Sequence, residues 1–259
     1  METLTTEIRD NIGIITLDRP QALNAINTEM VEELDSVLEQ WEKREQRLTA
    51  IILTGAGKAF AAGADISQMM DFSAEEAAFF AQKGQATLRR LEESKYPTIA
   101  AVNGFALGGG CELAMCCDII LAAPRALFGQ PEVKLGVIPG FGGTQRLVRR
   151  VGRQRALELM MTGRNVKADE AVSLGIALEK VSDEASVLDA ALALAKKIST
   201  NGPIAVELVK KVVDETDRMD TDMGLAVEAA SFGFCFATAD QKEGMSAFLS
   251  KRSANFEGK

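Results

Sequence analysis

The chain has 259 residues, 47% hydrophobic and 25% charged, with 22 glycines and 6 prolines, the make-up of a globular protein with enough apolar surface for one large domain or two small ones. It contains no histidine, which excludes a Ser-His-Asp triad, a Cys-His pair and a His-ligated zinc site. With 29 Lys+Arg against 37 Asp+Glu the formal charge is −8, opposite to the field that nucleic-acid backbones select.

From Ile12 to Leu17 the residues IGIITL read as a strand, stopped by Asp18-Arg19-Pro20 and followed by a loop through Ala22 to Ile26. Asn27 or Thr28 caps a helix whose apolar face carries Met30, Leu34, Val37, Leu38 and Trp41. A buried strand is predicted at Thr49 to Thr54, a glycine-rich loop at 55–64, and a helix between Ser73 and Glu93. The pattern repeats with a strand at Thr98 to Val102, a glycine loop at 103–110, a helix at Cys111 to Cys117 and a strand at Asp118 to Ala122. Such alternation implies an α/β layer architecture with mostly parallel pairing. Beyond Gly143 the chain reads as largely helical, with Val187, Ala191, Leu194, Ala195 and Ile198 on one face and a last helical run from Pro203 to Phe256.

Tyr96 to Cys111 is free of charge but holds four glycines and a proline, so it does not read as a membrane span. The start, METLTTEIRD, has neither a secretory apolar region nor an Arg/Ser-rich transit pattern, and a cytoplasmic protein, or a mature organellar one, is expected. The cysteines at 111, 116, 117 and 235 lack the spread of a disulfide framework and read as reduced core thiols.

Three glycine stretches, at 55–57, 108–110 and 140–143, require explanation. No GxxxxGK[ST] occurs, and Phe60 stands where GxGxxG needs its third glycine, so nucleotide binding is disfavoured. Loop-on-strand packing is one reading. The other starts from Gly108 to Gly110 leading into a helix, whose unpaired N–H groups favour negative charge, including an oxyanion on a carbonyl. A second donor for it could be the N–H of Ala64. Glu112 and Glu132 both interrupt apolar surroundings. Singly, each reads as a helix-start or solvated residue; as a pair in a chain without histidine, they could take opposite protonation states for acid–base work. Asp65 reads as a loop cap, Asp118 as a helix end, Cys111 as a core residue, and Arg146, Arg149 and Arg150 as a solvated helix face that could meet phosphate.

In order along the chain stand Ala59-Phe60-Ala61-Ala62-Gly63-Ala64-Asp65-Ile66, then Asn103 through Met115 with its Gly108-Gly109-Gly110-Cys111-Glu112 centre, then Phe128-Gly129-Gln130-Pro131-Glu132. Together with the tail Glu243 to Arg252, these resemble the enoyl-CoA hydratase (crotonase) family over essentially the whole chain. The resemblance implies an α/β spiral of ββα repeats over residues 1–195, carrying the active site. It also implies a helical C-terminal region, 196–259, that drives trimerisation, commonly as a dimer of trimers. It places an oxyanion hole on the N–H groups of Ala64 and Gly109, a water-activating base on Glu112 and a proton donor to C2 on Glu132. Ala62, Asp65, Ile66, Gly140, Phe232, Phe248 and Lys251 match substrate or CoA contacts, the last two across a subunit boundary. Ser67 departs from the lysine that close relatives often carry. The implied activity is hydration of a trans-2-enoyl-CoA to a 3-hydroxyacyl-CoA, as in fatty acid β-oxidation, with no metal and no cofactor beyond the CoA of the substrate. An enoyl-CoA isomerase is the alternative, and a third reading, RNA binding, would use a basic face near Lys83, Arg89, Arg90 and Lys95.

Overall fold

The computed structural model describes residues 1–182, 186–216 and 219–259. The chain opens with an antiparallel hairpin, β1 (Leu4–Arg9) and β2 (Ile12–Leu17), turned at Asp10 and Asn11, both in the left-handed region that Asp and Asn tolerate. The sequence reading contains only the second of these strands. LTTEIR buries just Leu4, and a solvated edge strand of this kind has no hydrophobic alternation to declare it. Helix α1 (Thr28–Glu42) follows, with Asn27 as its cap: the Asn27 side chain accepts from the Met30 N–H at 2.9 Å. All five apolar-face residues are buried.

Three successive pairs of strands then build the body. β3 (Ala50–Gly55) and β4 (Ala59–Ala62) precede helices α2 (Ile66–Met69) and α3 (Ala74–Glu92). β5 (Thr98–Val102) and β6 (Phe105–Leu107) precede α4 (Gly109–Met115). β7 (Ile119–Ala122) and β8 (Leu127–Gly129) precede a single 3-10 turn at Glu132–Leu135 and helix α5 (Gly143–Val151). In each pair the first strand joins a six-stranded sheet of order β1-β2-β3-β5-β7-β10, where β10 is Glu179–Lys180, and the second a four-stranded sheet of order β4-β6-β8-β9, where β9 is Val166–Lys167. The repeats pair in parallel with one another, which is a spiral of ββα turns. The remaining elements are α6 (Arg153–Thr162), β9 (Val166–Lys167), α7 (Ala168–Leu174), β10 (Glu179–Lys180), α8 (Val187–Ile198), α9 (Pro203–Glu215), α10 (Thr221–Cys235) and α11 (Ala239–Leu249).

The glycine loops at 55–64 and 103–110 therefore each contain a strand, β4 and β6, and α4 starts at Gly109 rather than Cys111. A Cβ on Gly104 would overlap the Lys58 carbonyl oxygen and one on Gly55 the Ala59 carbonyl oxygen, so small residues mark strands packed backbone to backbone. The Asn103 side chain fixes the same crossing: its Nδ2 donates to the Gly55 carbonyl at 2.8 Å and its Oδ1 accepts from the Gly55 N–H at 3.2 Å. Two short strands, β9 and β10, lie in the part read as helical. Asp217 and Arg218, within the expected Pro203 to Phe256 run, are outside the described residues.

Both faces of the larger sheet are covered. On β3, Ile51 and Leu53 enter the core shared with α1, while Ala50 and Ile52 enter a second cluster against α8. Burial on both faces is why TAIILT reads as a continuous apolar run. Val187, Ala191 and Ala195 of α8 are buried in that second cluster, with Leu194 and Ile198 packed beside them. Asp118 does not end a helix, because α4 is capped at Cys116. Its carboxylate accepts from the Thr98 N–H at 2.7 Å and pairs with Lys210 of α9 at 3.0 Å, tying β5 and α9 to the start of β7. Cys111, Cys116 and Cys117 are free and buried, whereas Cys235 is only partly buried.

Candidate active site

The N-terminus of α4 is where the two sheets' strands deliver three segments together. Gly108 caps the helix with φ +49°, a conformation that favours glycine, and a Cβ there would come within 2.9 Å of Glu132 Oε1. At Gly110 a Cβ would overlap the carbonyl oxygen of Ala61, so the helix start lies directly against β4. The position a Gly109 Cβ would take is 3.5 Å from the Ala64 nitrogen, so the backbone at Ala64 lies against the start of α4. As first residue of α4, Gly109 has an N–H with no partner inside the helix. Ala64 lies in a parallel bridge with Ile26 that uses the Gly63 carbonyl and the Asp65 N–H, and so does not consume the Ala64 N–H. The triple glycine serves packing and site geometry at once.

Glu112 stands one turn into α4, 1% exposed. Its Oε1 accepts two backbone N–H groups, from Phe141 at 2.8 Å and Gly143 at 2.6 Å. Burial raises its carboxyl to about 7; the charge of Glu132 adds to the rise, and the two N–H bonds and Arg146 oppose it. Glu132, on the 3-10 turn after β8, is also raised to about 7 by burial, opposed by its own backbone N–H. Gln130 was absent from the residues expected at the site. It is 1% exposed, and its side-chain amide lies against the Glu132 carboxyl, so that turning the amide over would let its nitrogen donate to Oε1 at 2.9 Å and Oε2 at 3.2 Å. The other side of the same amide is pressed against Gly143. The motif at 128–132 was the available signal.

Phe141 packs against the start of α4: its ring approaches the Gly109 Cβ position to 3.3 Å and packs on Phe80 with centroids 5.2 Å apart, and Phe80 packs on Phe72 at 5.8 Å. Gly140 lies just before it, its carbonyl accepting from Gln85 Nε2 at 2.8 Å. Ala62 donates its N–H to the Leu23 carbonyl. Asp65 caps α2, accepting from Ser67 Oγ at 2.6 Å, and pairs with Arg19 at 2.9 Å; Ile66, next to it, is 54% exposed. Ser67 is thus committed to the Asp65 carboxylate.

Phe232, Phe248 and Lys251 are placed differently, on the C-terminal helices. Phe232 is 65% exposed with its ring against Phe236, Phe248 is 80% exposed, and Lys251 follows α11 with φ +53°. Among the described residues, no hydrogen bond, ion pair or ring contact joins them to Glu112 or Glu132.

Two of the three arginines of α5 are not solvated, whereas Arg149 is exposed. Arg150 Nη2 donates to the carbonyls of Met115 and Cys117 at 3.0 and 2.9 Å, clamping the end of α4, and Arg146 is buried against Glu92. Cys111 does not resemble a nucleophile, since burial pushes its thiol up to about 12. The basic face is internally matched: Lys83 pairs with Glu32, Arg89 with Glu92 and Glu93, and Arg90 with Asp35 and Glu42, while Lys95 donates to the Glu42 carbonyl. No helix among the described residues is long and apolar enough to cross a membrane.

Residues 7–259 match the family model described as enoyl-CoA hydratase/isomerase. The chain is 47% identical to the short-chain-enoyl-CoA hydratase of Clostridium acetobutylicum, covering 97% of this chain and 96% of that one. It is 46% identical to the crotonyl-CoA hydratase of Syntrophomonas wolfei, covering 100% and 99%. Among solved structures, the enoyl-CoA hydratase of Bacillus anthracis superposes with a TM-score of 0.95 at 36% identity, covering 99% of this chain and 100% of that one. The paired strands, the glycine-led helix and the two glutamates thus belong with a full-length match in sequence and in structure: the chain is a member of the enoyl-CoA hydratase/isomerase family.

Proposed function

We propose that the chain hydrates the 2,3 double bond of a trans-2-enoyl-CoA to give a 3-hydroxyacyl-CoA, with Glu112 as the base and Glu132 as the acid. The observation that carries this reading is the placing of two carboxyls at the glycine-led start of α4, Glu112 buried within it and Glu132 against Gly108, with the Ala64 backbone beside Gly109; burial raises both carboxyls to about 7. Carboxyls raised in this way and coupled to one another share a proton near neutral pH. The two backbone N–H bonds to Glu112 Oε1 favour its ionised form. This leaves Oε2 as the acceptor for a water proton, and Glu132 as the member that holds a proton.

Glu112 then takes a proton as water attacks C3, and the electrons of the double bond move to the thioester oxygen. That oxyanion meets the N–H groups of Ala64 and Gly109, each such donor being worth about 3 kcal/mol of barrier. Glu132 delivers its proton to C2. The sequence needs only proton transfers and water, so the CoA group enters as a handle of the substrate and no other cofactor takes part. An isomerase would move a proton between C2 and C4 and has no use for a second carboxyl placed for water.

We propose further that the enzyme is a trimer or a dimer of trimers and works in the cytoplasm. Along α9 to α11 the large apolar residues face outward, with Phe232, Phe248 and Leu249 exposed by 65%, 80% and 81%. Such a surface is covered by a second copy of the chain in an assembly of this kind, and Phe232, Phe248 and Lys251 would then reach a neighbour's CoA. Incubation with crotonyl-CoA in 18O-water, with mass analysis of the product, tests the reading. One heavy oxygen in a 3-hydroxybutyryl-CoA supports it; a product with no added water, a 3-enoyl-CoA, overturns it in favour of isomerisation.

A further inference from the structure

Glu112 is held by a turn rather than by side chains, and the turn is itself held from behind. Residues 140–143 bring the Phe141 and Gly143 N–H groups to Glu112 Oε1. Gly142, between them, has φ +103°, and a Cβ there would overlap Nη1 of Arg146. That guanidinium fills the back of the turn: Nη1 donates to the Phe141 carbonyl at 2.7 Å, while Nε and Nη2 donate to the two carboxylate oxygens of Glu92 at 3.1 Å each. Phe141 therefore links Glu112, through its N–H, to Arg146, through its carbonyl. Glu92 is anchored in turn at the end of α3 by Arg89 at 3.0 Å. Desolvation works to raise the Glu92 carboxyl, yet its bonds to Arg146 and Arg89 hold it below the usual carboxylate range, so the pair stays charged at neutral pH.

We infer that Arg146, clamped by Glu92, is a positioning residue for the hydration reaction: it fixes the turn whose N–H groups orient Glu112 and keep it ionised. This rests on the reading of Glu112 as the base. A bidentate guanidinium–carboxylate pair has a fixed plane, and its third donor goes to the carbonyl of Phe141, the residue whose own N–H touches Glu112. The charged and titratable groups around Glu112 are Glu132, which raises its carboxyl; Arg146, which lowers it; and the thiols of Cys111 and Cys116, the latter donating to the Glu112 carbonyl at 3.1 Å. Removing Arg146 takes away the one cation of this set and loosens both N–H donors, and both changes push Glu112 toward its protonated form.

The test compares Arg146→Met, Arg146→Lys and Glu92→Gln with the parent, on crotonyl-CoA across pH, with thermal melting as the check on folding. The expected result for Arg146→Met is a fall in kcat of about 10-fold to 100-fold, the scale of a misplaced catalytic group. KM should change little, and the acid limb of the pH profile should move up by about one pH unit. Arg146→Lys keeps the charge and should restore the acid limb while recovering only part of kcat. In a Glu112→Gln background, Arg146→Met should cost almost nothing more, because the residue through which it acts is gone. An unmoved acid limb in both Arg146→Met and Glu92→Gln, or an equal loss with and without Glu112, would overturn the proposal. Full activity in Glu112→Gln alone would instead defeat the reading of the base, independently of Arg146.

Discussion

Glu112 is buried to 1% exposure and still has to be ionised to act as a base, and that conflict has consequences for stability as well as for rate. Its carboxyl titrates near 4.5 when unfolded and near 7 when folded. Between those values the folded chain holds a proton the unfolded chain lacks, so stability falls as pH rises through that window and stays lowered above it. Glu112→Gln keeps an acceptor for Phe141 and Gly143 and removes the buried charge. We expect it to melt higher than the parent at pH 8, by up to about 3 kcal/mol in unfolding free energy, with no advantage at pH 4; thermal melts at the two pH values check this. In rate, kcat/KM should be bell-shaped around neutrality. It is lost on the acid side as Glu112 takes up a proton and on the alkaline side as Glu132 gives its proton up. The two glutamates were legible in the sequence because a chain without histidine leaves few groups for acid–base work. Gln130 and Arg146 were not, since an arginine in the first half of a short polar helix reads as solvated until the turn it supports is seen.

At the scale of elements, the glycines carry much of the architecture. Gly110 lets α4 begin against the carbonyl of Ala61, and that neighbour is strand backbone, which cannot swing aside as a side chain could. Gly110→Val is therefore expected to lose several kcal/mol of stability, at the upper end of single substitutions, and to lose activity with it. Urea unfolding beside the conservative Ala114→Gly, in the same helix, measures the difference. The helices with capping residues and apolar faces, α1 and α8, were readable from local pattern alone. β4 and β6 were not, because Ala59–Ala62 and Phe105–Leu107 are short and partly built from small residues. What makes them strands is the spiral that brings them into register with each other, a pairing of Ala59 with Phe105 and Ala62 with Leu107 across segments distant in the chain.

Over the whole molecule the charge of −8 is spread so that the cations near α3 are matched locally, while the apolar surface collects on the C-terminal helices. On the proposed trimeric assembly, Leu249→Asp combined with Phe248→Asp should give smaller species in light scattering and weaken acyl-CoA binding without unfolding the body; an unchanged mass would contradict an interface through these residues. The central claim, hydration by two carboxylates beside two N–H donors, is tested most directly by the loss of the conjugated-thioester ultraviolet absorbance of crotonyl-CoA. The measurement runs the parent beside Glu112→Gln and Glu132→Gln. Fast loss in the parent and a fall of order 100-fold or more in each variant is the predicted result, the scale of a positioned acid or base. A variant that keeps the parent rate, or a parent that binds crotonyl-CoA and leaves its absorbance intact, would contradict the account.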